Sequence, residues 1–220
     1  MIPLADTKGS GRFPFVTVSL IAINIFVFLL ELSSSDLDRF IETYALIPAL
    51  VNFSDFDSLK SFVTSMFLHG DLLHIGSNML FLWVFGDNVE ERLGLFYLPF
   101  YLLGGIIAAL AQYVVSPSLA IPTLGASGAV SAVLGAYLVL FPTHKVKTLV
   151  PVFGFVTFMT LPAMTMLIYW FVVQIVSGLI SIGAVAQGGV AWFAHIGGFV
   201  FGLLVGSLVR RYYTEGGIRK

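Results

Sequence analysis

The sequence predicts an all-α membrane protein: a polytopic bundle of six transmembrane helices, with a short fourth helix that starts within the membrane. Three observations carry this. The chain is 58% hydrophobic and 10% charged. Its 11 basic and 12 acidic side chains are too few to cover that much apolar surface in water. Six apolar stretches follow one another, and the basic residues between them alternate in number from one connection to the next.

Residues 1–13 are expected to form a cytoplasmic N-terminal tail, and Phe15–Leu32 is the first stretch. It is too long and too lightly flanked for a cleavable signal, so it is expected to remain as a span. A connection of about 40 residues, Ser33 to Leu72, follows and carries Asp36, Asp38, Glu42, Asp55, Asp57 and Asp71. Its apolar patches, Tyr44–Val51 and Phe62–Leu68, predict short helices lying in the outer interface. Leu73–Val89 and Phe96–Val115 are the second and third spans. Ser127–Phe141 is the fourth, about 15 residues or about 22 Å of helix, against a hydrocarbon core of about 30 Å. An apolar inner segment, Val150–Thr160, is expected to rest against the membrane. Pro162–Ala184 is the fifth span, and the glycine-rich connection from Val185 to Val190 is expected to be mobile. Trp192–Val209 is the sixth, closing a membrane domain over 14–210 before a tail over 211–220.

With six spans, Lys8, Arg12, Arg92, Lys145, Lys147, Arg210, Arg211, Arg219 and Lys220 share one side, and only Arg39 and Lys60 face the other. The positive-inside rule then puts both termini in the cytoplasm. Without an organelle-targeting extension in the sequence, a plasma (inner) membrane is the expected location. No cysteine is present, which excludes disulfides, thiolate catalysis and cysteine-based metal sites. Neither a metal nor a cofactor motif occurs: there is no His-Glu-x-x-His, no phosphate-binding loop and no dinucleotide fingerprint. Nucleic acid is not an expected partner.

Strongly polar groups inside a bilayer are functional candidates. His74 and Asn78 are four apart and share one face of the second span. They lie about 24 and 18 Å above Glu90, reckoned along the helix. His195 lies about 22 Å above Arg210, and Ser127 about 22–27 Å above the Phe141–Lys145 end. All four fall in one layer of the outer half. Gly198 and Gly202 follow His195 at helical spacing, and the fourth span carries Gly128, Ser131, Ala132 and Gly135. Two such small faces let helices approach closely, which brings His195 toward Ser127.

Serine becomes a nucleophile when a neighbouring base takes its proton, and histidine suits that task near neutral pH. No acidic residue occurs between Gln112 and Thr214, so the expectation is a Ser–His dyad with His195 oriented by packing. An oxyanion would meet the free N–H groups at the start of the fourth helix, Asn78 and His74. Two plainer readings stand beside these: Gly125-Ala126-Ser127-Gly128 as a packing site, and Asn78 as an interhelical hydrogen bond. His69 and His144 are expected to be solvated, Gln174 to make a packing hydrogen bond, and Trp83, Trp170 and Trp192 to face lipid or the interface.

Together these residues resemble the rhomboid intramembrane serine proteases, from Thr64 to Gly206. Thr64-Ser65-Met66-Phe67-Leu68-His69-Gly70 is similar to the end of that family's first outer loop. His74 and Asn78 match its His-x-x-x-Asn, and Glu91-Arg92-Leu93-Gly94 resembles the turn after its second span. Gly125-Ala126-Ser127-Gly128 matches its Gly-x-Ser-Gly nucleophile motif, and Ala194-His195-Ile196-Gly197-Gly198 with Gly202 its histidine and glycine face. The resemblance implies a six-helix core, Ser127 as nucleophile and His195 as general base. It assigns His74, Asn78 and the Ser127 N–H to the oxyanion hole. Two positions depart: Lys60-Ser61 stands where the family often has Trp-Arg, and Ser131 where an aromatic often stacks on the histidine.

The expected function is an intramembrane serine endopeptidase acting on transmembrane protein substrates near the outer face of the bilayer. The fifth span is the expected gate and the Gly188-Gly189 connection the lid. A catalytically inactive relative that binds and routes membrane clients, or a small transporter, are the competing readings. Oligomeric state is left open.

Overall fold

The computed structural model describes residues 1–152, 155–182 and 189–215. Six apolar helices make up its body: α1 (Phe15–Ser33), α4 (Leu72–Leu93), α5 (Tyr97–Val115), α6 (Ser127–Leu140), α7 (Ala163–Ile182) and α8 (Trp192–Glu215). Two short helices, α2 (Leu37–Tyr44) and α3 (Phe56–Thr64), lie in the first connection. By length and composition, four stretches can cross a membrane: Phe15–Ser33, Leu72–Val115, Ala163–Ile182 and Trp192–Tyr213. The second is folded into α4 and α5 by a break at Gly94, whose φ of 55° is left-handed and favours glycine. With 14 residues, α6 is the short apolar helix.

The centre of the bundle is α6. Residues from Gly128 to Tyr137 are buried without interruption, which explains why this helix has no polar face. Its closest partner is α8. A Cβ on Gly198 would collide with the carbonyl oxygen of Gly128, and one on Gly202 with that of Ala132. Gly135 in turn faces the Phe199 carbonyl. Backbone therefore touches backbone along this pair, and dispersion replaces the hydrophobic effect that lipid does not supply. Around it, α4, α5 and α7 complete the shell, with α1 against α4.

One part of the architecture was not expected. Strands β1 (Ile2–Asp6), β2 (Lys145–Val152) and β3 (Phe155–Pro162) form an antiparallel sheet in the order β1-β2-β3. The supposed N-terminal tail is thus a strand, and the apolar inner segment is a hairpin. Val146, Thr148, Val150 and Val152 are β-branched at alternate positions, a strand pattern rather than a helical one. Val146 and Thr148 are fully buried beneath the sheet, while the edge strand β3 exposes Phe155, Val156 and Phe158. Asp6 ties β1 to the bundle. Its carboxylate accepts from Asn88 Nδ2 at 2.9 Å and from the Tyr137 hydroxyl, and lies 3.1 Å from His144 Nδ1. His144 is therefore half-buried in a polar cluster, which corrects the expectation that it is solvated. Glu90 accepts the N–H groups of Val16 and Thr17 at 2.9 and 2.7 Å, capping the start of α1 with a carboxylate where the helix dipole favours one.

The first connection does contain short helices, and within the Tyr44–Val51 patch Tyr44 ends α2 and Pro48–Leu50 forms a single 3₁₀ turn, the residues between being non-helical. Ala45, Leu46, Ile47 and Pro48 are buried. Leu46 exchanges two backbone hydrogen bonds with Thr123, at 3.1 and 2.7 Å, and the Ala49 N–H donates to Leu119 at 3.0 Å. This segment thereby holds the approach to α6. Phe62 packs with Leu46 and Ala109, and Phe53 and Phe62 meet the Tyr113 ring edge-on. Those contacts anchor the connection without a Trp-Arg pair.

Candidate active site

Ser127 is the first residue of α6, and the chain arrives there through Gly125. Gly125 has φ of 122°, a backbone conformation that side chains rarely tolerate, and its N–H donates to the Ser65 carbonyl at 2.9 Å. A Cβ on Gly125 would lie 2.7 Å from His74 Nε2 and 3.7 Å from Ser127 Oγ. Glycine here serves twice, turning the chain into the helix and leaving room for an imidazole beside the serine.

His195 is the fourth residue of α8 and closes its first turn. Its Nε2 lies 2.8 Å from Ser127 Oγ, and its Nδ1 lies 2.8 Å from Oε1 of Gln174 on α7. The other end of the Gln174 amide, Nε2, donates to the Trp170 carbonyl at 3.2 Å, so the oxygen faces the imidazole. Since a carbonyl oxygen only accepts, Nδ1 carries the proton and the Nε2 lone pair faces the serine hydroxyl. His195 and Gln174 are both buried.

Two expectations change here. His195 is not oriented by packing alone, because Gln174 bonds its far nitrogen. Trp170 and Trp192, expected to face lipid or the interface, are half-buried and also bring their rings to 5.9 and 6.2 Å from the His195 ring. They supply the aromatic contact that Ser131 does not. Ser131 instead donates to the Ser127 carbonyl at 2.6 Å. Trp83 is 57% exposed, as a lipid-facing indole would be. The depth argument applied to Ser127 and His195 also reaches Gln174, about 18 Å along the helix from Pro162. A primary amide at that depth in an apolar span was the available signal.

His74 and Asn78 lie on one face of α4. The Gly70 N–H approaches His74 Nδ1 at 3.4 Å, which leaves Nε2–H directed at Gly125. Asn78 is buried, and its Nδ2 has no hydrogen-bond partner among the described residues. His69, expected in solvent, is only 2% exposed. Its N–H donates to the Glu31 carboxylate, at 3.1 Å to the nearer oxygen, and its ring meets the His74 ring edge-on at 5.1 Å. Burial pushes the His69 imidazole down to about 4, so it is neutral at pH 7. A cavity of about 30 Å³ abuts Ser127, lined by Met66, Gly105, Ala108, Gly128, Ala191 and Ala194. The arrangement sets a serine hydroxyl 2.8 Å from an imidazole nitrogen, with N–H groups on the facing helix. Those are the parts of acyl transfer to a serine.

Of the lid expected at Gly188 and Gly189, Gly188 lies outside the described residues.

The family model described as "Rhomboid domain" matches residues 57–212. Rhomboid protein 1, mitochondrial, of Saccharomyces cerevisiae is 33% identical over 182 residues, which cover 79% of this chain and 47% of the relative. Presenilin-associated rhomboid-like protein A, mitochondrial, of Danio rerio is 32% identical, covering 64% of this chain and 35% of its own length. Rhomboid protease GluP of Bacillus subtilis is 30% identical, covering 60% and 25%. The chain spans less than half the length of each of these relatives. Two of them are named mitochondrial and one is bacterial, so they do not support the expectation of a plasma membrane. A family model that covers well over half of the chain, and that runs through the glycine turn, the serine and the histidine, settles the kinship: this chain belongs to the rhomboid family.

Proposed function

We propose that this multi-pass membrane protein is a serine endopeptidase that hydrolyses peptide bonds of transmembrane substrates in or next to the bilayer. Family membership supports an intramembrane protease-type function. The observation that carries the finer reading is the 2.8 Å contact between Ser127 Oγ and His195 Nε2. In this mechanism Ser127 Oγ attacks the carbonyl carbon of the substrate as His195 Nε2 takes the hydroxyl proton. The carbonyl oxygen becomes an oxyanion, which accepts from the Ser127 N–H, the His74 Nε2–H and the Asn78 amide. His195 then returns its proton to the leaving amine, and the C–N bond breaks to give an acyl-enzyme. Water, deprotonated by the same nitrogen, attacks the ester and releases the acid.

Helical amides are shielded by their own hydrogen bonds, so the substrate must unwind locally. Substrates with glycine, proline or small residues near the cut are favoured, and the cavity of about 30 Å³ beside Ser127 supports a small side chain there. With six spans the basic residues of the sequence concentrate on one side, which supports cytoplasmic termini and a dyad opening to the opposite side. In this reading α7 is the gate.

The test is cleavage of a labelled transmembrane substrate by the purified chain in detergent or liposomes. Cleavage is expected for the wild type and abolished in Ser127→Ala and His195→Ala. Cleavage that survives Ser127→Ala overturns the reading. Capture of the substrate without cleavage by the wild type supports the client-binding alternative instead.

A further inference from the structure

We infer that Gln174 is the positioning residue of the dyad, and that α7 completes the reactive arrangement by carrying it. The inference rests on the reading of Ser127 and His195 as nucleophile and base. Imidazole in water exchanges between two neutral tautomers, and only one of them presents a lone pair at Nε2. The other points an N–H at the serine and is unable to take its proton. Gln174 resolves this choice. Both ends of its amide are occupied, Nε2 by the Trp170 carbonyl at 3.2 Å and Oε1 by His195 Nδ1 at 2.8 Å. A flipped amide would set its oxygen against the Trp170 carbonyl and lose that bond, so the oxygen stays on the side of the imidazole.

The placement on α7 matters as much as the bond. Only Ala163, Met166, Leu167, Gln174 and Gly178 are buried along this helix of 20 residues. Trp170, Gln174 and Gly178 fall at four-residue intervals on one stripe, and all three meet α8. A Cβ on Gly178 would lie 3.3 Å from Trp192 Cβ and 3.4 Å from Ile196 Cδ1, so α7 sits tight against α8 one turn beyond Gln174. From the same stripe, Trp170 lays its ring beside His195. Thus α7 supplies both a hydrogen bond and an aromatic wall to a histidine on another helix. A shift of α7 away from α8 breaks the 2.8 Å bond and frees the ring. The helix that admits substrate in the proposed reading also sets the base, so the dyad is fully ordered only when α7 is seated.

The experiment uses the full chain in detergent micelles with ¹⁵N-labelled histidine. It compares wild type, Gln174→Met, Gln174→Asn and Gln174→Glu. Ring ¹⁵N shifts, assigned with His195→Ala, report the tautomer, and a fluorophosphonate reports the reactivity of Ser127 without requiring substrate entry. We expect the Nδ1–H form in the wild type and mixed tautomers in Gln174→Met. Labelling rate and kcat should fall on the order of 10²-fold, as misplaced groups do, with KM held within about threefold. Gln174→Asn keeps the amide but withdraws its oxygen by about 1.5 Å, and should lose labelling at a wild-type unfolding temperature. Gln174→Glu restores an acceptor oxygen at the right reach and should bring labelling back to within about tenfold of wild type. Wild-type tautomer and labelling rate in both Gln174→Met and Gln174→Asn overturn the inference. So does an equal loss in all three variants together with a lowered unfolding temperature, which marks a packing role. Labelling that persists in Ser127→Ala sinks the hydrolase reading, while the tautomer measurement still decides the role of Gln174.

Discussion

The imidazole of His74 lies over the bare backbone of Gly125, so closely that a Cβ there would be 2.7 Å from Nε2. At the same residue φ is 122°, which only glycine adopts readily. Gly125→Ala therefore strains the turn and pushes away one of the proposed oxyanion donors at once. Its cost in stability should be about 1–3 kcal/mol, and its loss of kcat on the order of 10²-fold. Thermal unfolding and substrate cleavage, measured on the same preparation, check both figures.

Asn78 separates activity from stability more cleanly. Its buried Nδ2 bonds nothing among the described residues, so removing it deprives the folded chain of no hydrogen bond. Asn78→Ala should lower kcat by about 10²–10³-fold, the usual effect of deleting one oxyanion donor, with an almost unchanged unfolding temperature. A loss of stability equal to the loss of activity would assign Asn78 to interhelical packing.

The α6–α8 contact predicts the reverse. Gly202 faces the Ala132 carbonyl with no space for a Cβ, at a position two turns from His195. Gly202→Val should destabilise the bundle by about 3 kcal/mol, the upper part of the range for over-packing, and activity should fall with the folded fraction. Unfolding in graded detergent denaturant measures this.

How much of this was legible in the sequence depends on the distance over which each signal acts. Ser127 and His195 fall at one depth when each is counted from the basic residues at the far end of its own helix, and the glycines at 198 and 202 mark the face by which α8 meets α6. Both signals are local, since one helix records its own depth and its own small face. The rotation of α7 about its axis is not recorded in that way. Gln174 therefore looked like packing, although its depth matched the others. The sheet was hidden for a related reason: the partner of Ile2 is Leu149, and no pattern within residues 1–13 points so far along the chain. His69 looked solvated because it precedes α4 in a polar connection, and the Glu31 carboxylate that accepts its backbone N–H comes from another helix.

His69 gives the account a pH dependence. Its folded value near 4 lies below the unfolded value near 6.5, so the unfolded chain binds a proton that the folded chain refuses. The stability this group contributes is complete above pH 6.5 and declines as pH falls from 6.5 to 4. Across that window the loss is about 3 kcal/mol. His69→Gln should remove that slope, which unfolding at a series of pH values will show.

The central claim is that Ser127 is a nucleophile primed by His195, and intact-mass and peptide mapping after fluorophosphonate treatment tests it most directly. The account predicts a single adduct on Ser127 in the wild type and its near absence in His195→Ala. An adduct on another residue, or undiminished labelling of Ser127 without His195, would contradict it.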